Sequence, residues 1–241
     1  MGGAPRRAPP GQLIPMFDIT LLWSVLPALL DGAWLTLKLT AWVVLLGTAL
    51  SIPVALCKNA RSTGPRTAAH AYVLFFRGTP ALVQLFLLYY GAGQFDAIRH
   101  SVLWPVLRDP YWCVVIALGL NSAAYSGKTL GAALAAIPRG TREAALVLGL
   151  SRAQAFWLIE LPLAVRTALP AFGNEIILTC KATSLASTVT LLELTGSARL
   201  LTSETYAPYE IFLGAGLVYL AINYVLLCGI RRLEASLNRP H

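Results

Sequence analysis

Charged side chains are scarce in this chain, and the scarcity is uneven. Only 12% of its 241 residues are Asp, Glu, Lys or Arg, about half the share found in soluble domains. Carboxylates are the rarer sign, 11 against 19 Lys and Arg. Cysteine is also sparse. Cys57, Cys113, Cys180 and Cys228 lie far apart in or beside apolar segments, which excludes a disulfide framework or a cysteine-based zinc site. His70, His100 and His241 do not cluster either. No basic stretch is interleaved with base-stacking aromatics, so the net charge of +8 does not point to nucleic acid.

What is present is apolar surface in long uninterrupted runs. Hydrophobic residues make up 56% of the chain, and residues 39–57, 78–95, 110–127 and 211–230 carry no charge at all. A run of roughly 18 apolar residues crosses a bilayer of about 30 Å as a helix. The reading is an all-α integral membrane protein of about five transmembrane helices. The spans are placed near 33–57, 70–92, 111–136, 166–190 and 211–230. The fourth is the most polar, because it holds Glu175 and Lys181. Residues 19–30 form a shorter apolar run ending at Asp31, without a signal-peptide cleavage pattern. They read as an interfacial amphipathic segment.

Orientation follows from the basic residues of the connections. Lys58, Arg61, Arg66, Arg139, Arg142, Arg152, Arg166, Arg231, Arg232 and Arg239 fall on one side; Arg6, Arg7, Arg99, Arg108 and Arg199 fall on the other. The excess marks the cytoplasmic side. This predicts a periplasmic N-terminus, a cytoplasmic C-terminus and an odd number of spans. The chain then divides into an N-terminal periplasmic or interfacial segment (1–32), a membrane domain (33–230) and a cytoplasmic tail (231–241).

The loop 137–166 is patterned rather than flexible. Thr141 is placed to cap a short helix with Glu143 in its first turn, where a negative charge suits the helix dipole. Gly149 supplies a left-handed stop. Ser151 and Gln154 have capping-box spacing and open a second short helix, which Pro162 ends or kinks. The expected product is a rigid elbow of two short helices on the cytoplasmic face.

The same loop carries a motif. Glu143-Ala144-Ala145, three residues, Gly149, nine residues, Ile159, one residue and Leu161-Pro162 resemble the EAA loop of ABC importer permeases. The resemblance extends from about residue 30 to 232. Phe76-Arg77-Gly78-Thr79-Pro80, Asn121 to Tyr125, Asn174-Glu175 and Lys181-Ala-Thr-Ser-Leu185 are similar to the polar amino-acid uptake subfamily. Within it, the chain resembles most the M-type subunits of histidine, arginine/ornithine and octopine or nopaline systems.

This likeness implies a type I importer permease fold in a bacterial inner membrane. It implies a non-catalytic subunit that binds no cofactor of its own, with ATP and Mg held by partner ATPase subunits. The implied partners are a homologous Q-type permease, an ATPase dimer, a periplasmic substrate-binding protein and the lipid bilayer. The first loop helix would dock on the ATPase. Arg142, Glu143, Ala144 and Ala145 belong to that helix, and Gly149, Leu161 and Pro162 shape the turn and the second helix after it.

The remaining candidates lie inside the spans, where charge is costly and faces the bundle interior or a cavity. Asn121, Tyr125 and Lys128 fall at i, i+4 and i+7 on one helical face, and Asn174, Leu178 and Lys181 repeat the spacing. With Arg77, Thr79, Glu175 and Ser184 they are the candidate substrate-binding and translocation residues. Pro80 adds a helix break beside them. Arg77 and Glu175 are open to a structural reading as well, paired with each other or snorkelling. Gly127 and Gly131 mark a close helix contact. The resembled family usually has Glu where Lys128 stands; facing substrate, the lysine suits an acidic group such as an opine carboxylate, and at the cytoplasmic end of its helix it is open to snorkelling instead. Ser122 to Thr129 resembles a nucleotide-binding loop but lacks its first Gly and follows no strand.

Two other readings stand beside this one. A self-standing secondary transporter would favour an internal inverted repeat and more spans, neither of which is visible. A membrane enzyme would need converging nucleophile, base or metal ligands, and none converge.

Overall fold

The computed structural model describes residues 19–237. Arg6, Arg7 and Arg239, which contribute to the charge asymmetry, lie outside the described residues, as do the first eighteen residues of the predicted N-terminal segment. Among the described residues there is no strand, in agreement with the all-α expectation.

The chain opens with α1 (Ile19–Lys58), a 40-residue helix. At 1.5 Å per residue it is about 60 Å long, roughly twice the hydrocarbon thickness. Residues 19–30, expected as a separate interfacial segment, are its first three turns. Asp31 does not interrupt them: it is exposed, and Gly32 after it stays helical, packed closely on Leu194 and Ser197. Next come α2 (Thr63–Gly78) and α3 (Ala81–Tyr89), which meet at 101°. The span predicted at 70–92 is therefore a broken one. A single 3₁₀ turn (Ala92–Gln94) and two one-turn helices, α4 (Asp96–Arg99) and α5 (Trp104–Leu107), lead to α6 (Pro110–Ala135). Asp109 caps α6 by accepting from Tyr111 N at 2.9 Å.

After α6 comes α7 (Arg139–Val147), then α8 (Arg152–Ala155), a π turn (Phe156–Glu160), α9 (Leu161–Ala182) and a 3₁₀ segment (Thr183–Val189). The chain finishes with α10 (Leu194–Thr205) and α11 (Pro208–Leu237). Among the described residues, three stretches are long and apolar enough to cross a membrane: Ile19–Lys58, Arg152–Val189 and Pro208–Ser236. The bent α2–α3 pair makes a fourth when it is counted as one span. The 26-residue α6 is the fifth element of spanning length and a more polar one, since it holds Asn121, Tyr125 and Lys128.

Helix α6 is central. It packs on α1 and α3 around Leu39, Val43, Leu85, Val114 and Leu118. Towards its other end it packs on α1 and α9 around Ala55, Leu130, Leu134, Ala164 and Ala168. A third core joins α1, α10 and α11 through Leu29, Leu194 and Ile211. The close α1–α6 approach depends on small residues. A Cβ added at Gly127 would come within 2.6 Å of Val54 Cγ1. That is the helix contact expected from the Gly127/Gly131 spacing.

Candidate functional site

The broken span shows how its sequence bends the chain. Pro80 has no N–H, so the carbonyl of Phe76, four residues back, loses its helical donor. Thr79, before the proline, is driven out of the helical region to φ −117°, ψ 148°. The freed acceptors are then taken by side chains. Asn121 Nδ2 donates to Phe76 O at 2.9 Å. Gln84 Nε2 donates to Phe76 O at 2.9 Å, to Thr79 O at 3.1 Å and to Thr79 Oγ1 at 2.7 Å. Asn121 Nδ2 also donates to Gln84 Oε1 at 2.9 Å, and Tyr72 Oη donates to Leu120 O at 2.6 Å. Asn121 and Thr79, predicted as substrate contacts, are thus tied into the corner. Gln84 was missed by sequence reasoning. A polar residue in the middle of the apolar run 81–89 was the available signal, and its burial, 6% exposed, gives it structural weight.

Beside this corner lies the polar surface between α6 and α9. A cavity of about 200 Å³ is lined by Asn121, Ser122, Tyr125, Glu175, Leu178 and Thr179, among others. An adjoining one of about 180 Å³ is lined by Tyr125, Ser126, Thr129, Asn174 and Glu175. Glu175 also borders a mostly apolar cavity of about 250 Å³ between α1, α6 and α9. Arg77 stacks over the Tyr125 ring, its guanidinium carbon 4.7 Å from the centroid, a cation–π geometry. Arg77 is within electrostatic range of Glu175 but forms no ion pair with it: the ion pairs among the described residues are Arg99–Asp96 and Arg142–Glu160. Lys58 lies within electrostatic range of both Lys128 and Arg77. Lys128 and Lys181 are exposed on the isolated chain and line none of these three cavities. Ser184 donates to Lys181 O at 2.7 Å within its own segment.

The loop 137–166 differs from its expected form in two places. Thr141 does not cap α7. The helix begins at Arg139, two residues before Thr141, with Pro138 at the N-cap in extended backbone (ψ 140°), and has no side-chain cap. Nor does Pro162 end a second short helix. The backbone stays helical from Arg152 through α9, because a π turn widens the ring: Leu161 N–H bonds to Phe156 O, five residues back. The stop at Gly149 is as expected. Its φ is +81°, and Leu150 N→Ala145 O (3.2 Å) with Gly149 N→Leu146 O (3.0 Å) makes a Schellman motif. The capping box of Ser151 and Gln154 is also formed.

The elbow is tied to the bundle by Arg142. Its Nη2 donates to Leu134 O, the last turn of α6, at 3.0 Å, and its Nε lies 3.1 Å from Glu160 Oε2 on the π turn. Ala145 is buried against the bundle, while Val147 is 86% and Leu148 78% exposed. Glu143 is also exposed. The small residues Ala144 and Ala145 allow close seating, and the apolar tip of α7 is left free.

A second buried cluster was not anticipated. Glu193, 0% exposed, caps α10 by accepting from Thr195 N (2.8 Å) and Gly196 N (2.9 Å). It also accepts from Tyr219 Oη at 3.0 Å, and Leu194 N donates to Thr36 Oγ1 at 3.1 Å. Burial pushes the Glu193 carboxyl above the usual carboxylate range, against the opposing effect of these hydrogen bonds. The cluster joins α1, α10 and α11.

Known proteins match this arrangement. Residues 47–239 fit the family model described as "Binding-protein-dependent transport system inner membrane component". The chain is 46% identical over 209 residues to the octopine transport system permease protein OccM of Rhizobium meliloti, covering 87% of this chain and 85% of the relative. It is 39% identical over 209 residues to the arginine ABC transporter permease protein ArtM of Haemophilus influenzae, covering 87% and 92%. Among solved structures, an amino acid ABC transporter crystallised with histidines superposes with a TM-score of 0.78 at 30% identity, covering 91% of this chain and 98% of that one.

Proposed function

The chain belongs to the family of binding-protein-dependent transport system inner membrane components, and from that membership we infer a permease subunit of an ATP-driven importer for an opine or a basic amino acid. ATP would be hydrolysed by a partner ATPase dimer, a periplasmic binding protein would deliver substrate, and a homologous permease would complete the pathway. The loop 137–166 and the C-terminus would face the cytoplasm, and the N-terminus the periplasm.

The observation that carries this reading is one of continuity. The helix that begins in the loop at Arg152 runs unbroken through α9, where Asn174 and Glu175 line the cavities beside α6. Motion received by α7 from an ATPase would pass through Arg142 and Glu160 into the helix that bears the polar lining. ATP-driven closure of the ATPases would thereby reshape the cavity, which is alternating access.

Substrate chemistry follows from the two signs of charge. Glu175, with Asn121 and Tyr125 beside it, suits a guanidinium or ammonium group. The exposed cations Arg77 and Lys128 and the half-buried Lys58 suit carboxylates, and an arginine-derived opine such as octopine carries a carboxylate that arginine itself lacks. Lys128 would therefore read the extra carboxylate. A charged contact of this kind contributes on the order of 1.5–3 kcal/mol, or roughly tenfold or more in affinity. Uptake into proteoliposomes with the binding protein held constant tests it. Lys128→Gln should weaken octopine transport roughly tenfold more than arginine transport, and equal effects on the two substrates would defeat this assignment.

A further inference from the structure

A separate cavity of about 440 Å³ lies under the elbow, where the ends of α1 and α6 meet α7, α8 and the π turn. Its volume falls within the range of about 300–1,000 Å³ typical of small-ligand pockets. Three arginines border it, Arg61, Arg142 and Arg152, against a single carboxylate, Glu160. Arg142 is already engaged by Glu160 and Leu134 O. Arg61 and Arg152 have no hydrogen bond or ion pair from their side chains among the described residues. The cavity is thus bordered by two exposed guanidinium groups with no partner among those residues, a geometry suited to bidentate contact with phosphate oxygens.

Its walls are not those of a soluble-anion site alone. Leu56, Leu134 and Phe156 form an apolar lining. Beside Phe156 on the same turn, Trp157 is 56% and Leu158 65% exposed. Tryptophan at the end of a spanning helix is an interfacial residue. A basic pocket with an apolar floor and an aromatic rim at a helix-bundle end matches the chemistry of a phospholipid headgroup with its first acyl carbons.

We propose that this cavity binds a phosphate-bearing anion, supplied by an anionic phospholipid of the leaflet at the elbow, and that the lipid braces α7 against α1 and the π turn. That leaflet is cytoplasmic in the orientation proposed above, but the binding test is independent of orientation.

The test uses the assembled transporter in detergent, titrated with phosphatidylglycerol or phosphatidylcholine and followed by native mass spectrometry. Phosphatidylglycerol should bind in preference to phosphatidylcholine. Each arginine near an anionic lipid should account for about fivefold in affinity, so Arg61→Gln/Arg152→Gln should lose about 25-fold. Arg61→Lys/Arg152→Lys, which keeps the charge and gives up only the bidentate fork, should lose less than the Gln pair, and a loss as large as that of the Gln pair would overturn the electrostatic part of the assignment. Arg231→Gln/Arg232→Gln, which changes as much basic charge elsewhere on the same protein, should leave it unchanged. Equal loss in that remote variant, or unchanged binding in the Arg61/Arg152 variant, would overturn the site. Millimolar inorganic phosphate should not displace the lipid. Displacement by phosphate would overturn the lipid as its occupant and leave a soluble anion in its place.

Discussion

Two prolines in this chain meet opposite fates, and the contrast separates the frame of the molecule from its moving part. Before Pro80 the chain turns by 101°, with Thr79 in extended backbone. Before Pro162 it does not turn: Leu161 keeps helical angles, φ −65° and ψ −47°, although a residue preceding proline disfavours them. The difference lies in what happens to the orphaned acceptors. At Pro80 they are taken by Gln84, one turn into α3, and by Asn121 of the neighbouring α6. At Pro162 the widened π turn absorbs the missing donor within the helix itself. The first arrangement is a corner locked by neighbours. The second leaves a continuous rod from the elbow to the cavity.

Breaking the lock should have the largest effect. Gln84→Leu removes the donor that serves Phe76 O, Thr79 O and Thr79 Oγ1, and leaves buried polar groups short of partners at about 1–3 kcal/mol each. Thermal unfolding of the purified complex should show a large destabilisation. Tyr72→Phe, which removes the one hydrogen bond to Leu120 O, should cost only about 0.5–1.5 kcal/mol. Equal effects would mean that the corner is held by packing rather than by its carbonyl donors.

At the elbow, smaller costs should produce specific losses. An added Cβ at Gly149 would meet no atom within 4 Å, so Gly149→Ala costs only the left-handed backbone, about 1–2 kcal/mol. Gly149→Asn should cost less, because Asn visits that region readily. Substrate-stimulated ATP hydrolysis should fall in the order Gly, Asn, Ala. A variant order that follows side-chain size instead would contradict the backbone explanation.

The smallest effect belongs to Pro162→Ala. A proline in an ordinary helix interior costs about 3 kcal/mol relative to Ala. Here the turn has already accommodated it, so the gain in stability should fall well short of that value, and coupling should persist because the rod stays continuous. Loss of coupling in this variant would show that the widened turn itself, not continuity, carries the motion.

The parts of this picture legible in the sequence are those decided by neighbours along the chain. The third span was expected at 111–136 and is Pro110–Ala135, since an apolar run capped by Asp109 leaves little freedom. The Gly149 stop and the Ser151–Gln154 capping box are likewise local, settled by bonds that reach no more than five residues along the chain. The rest depends on partners far away. Asn121 stands 37 residues from Gln84 and 45 from Phe76, so its helical face with Tyr125 and Lys128 suggested a cavity contact and gave no hint of a brace. Thr36 meets Leu194 across 158 residues, and no pattern in either segment announces the meeting. Pro162 read as a stop or a kink because a π turn leaves no signature in residue type. Arg77 and Glu175 were open to pairing with each other on the sequence alone, and they form no ion pair, because the Tyr125 ring 48 residues from Arg77 along the chain holds the guanidinium instead.

The central claim is that the elbow and α9 move as one body against the locked corner. Pulsed electron–electron spin resonance on the assembled transporter tests it with three label pairs on exposed positions. Gly140 with Ala171 reports within the elbow and α9, Leu74 with Leu87 within the corner, and Leu74 with Ala171 between them. From the nucleotide-free to the ATP-bound state, the first two distances should hold while the third shifts by more than about 2 Å. A change in the Gly140–Ala171 distance as large as that in the third would contradict the account.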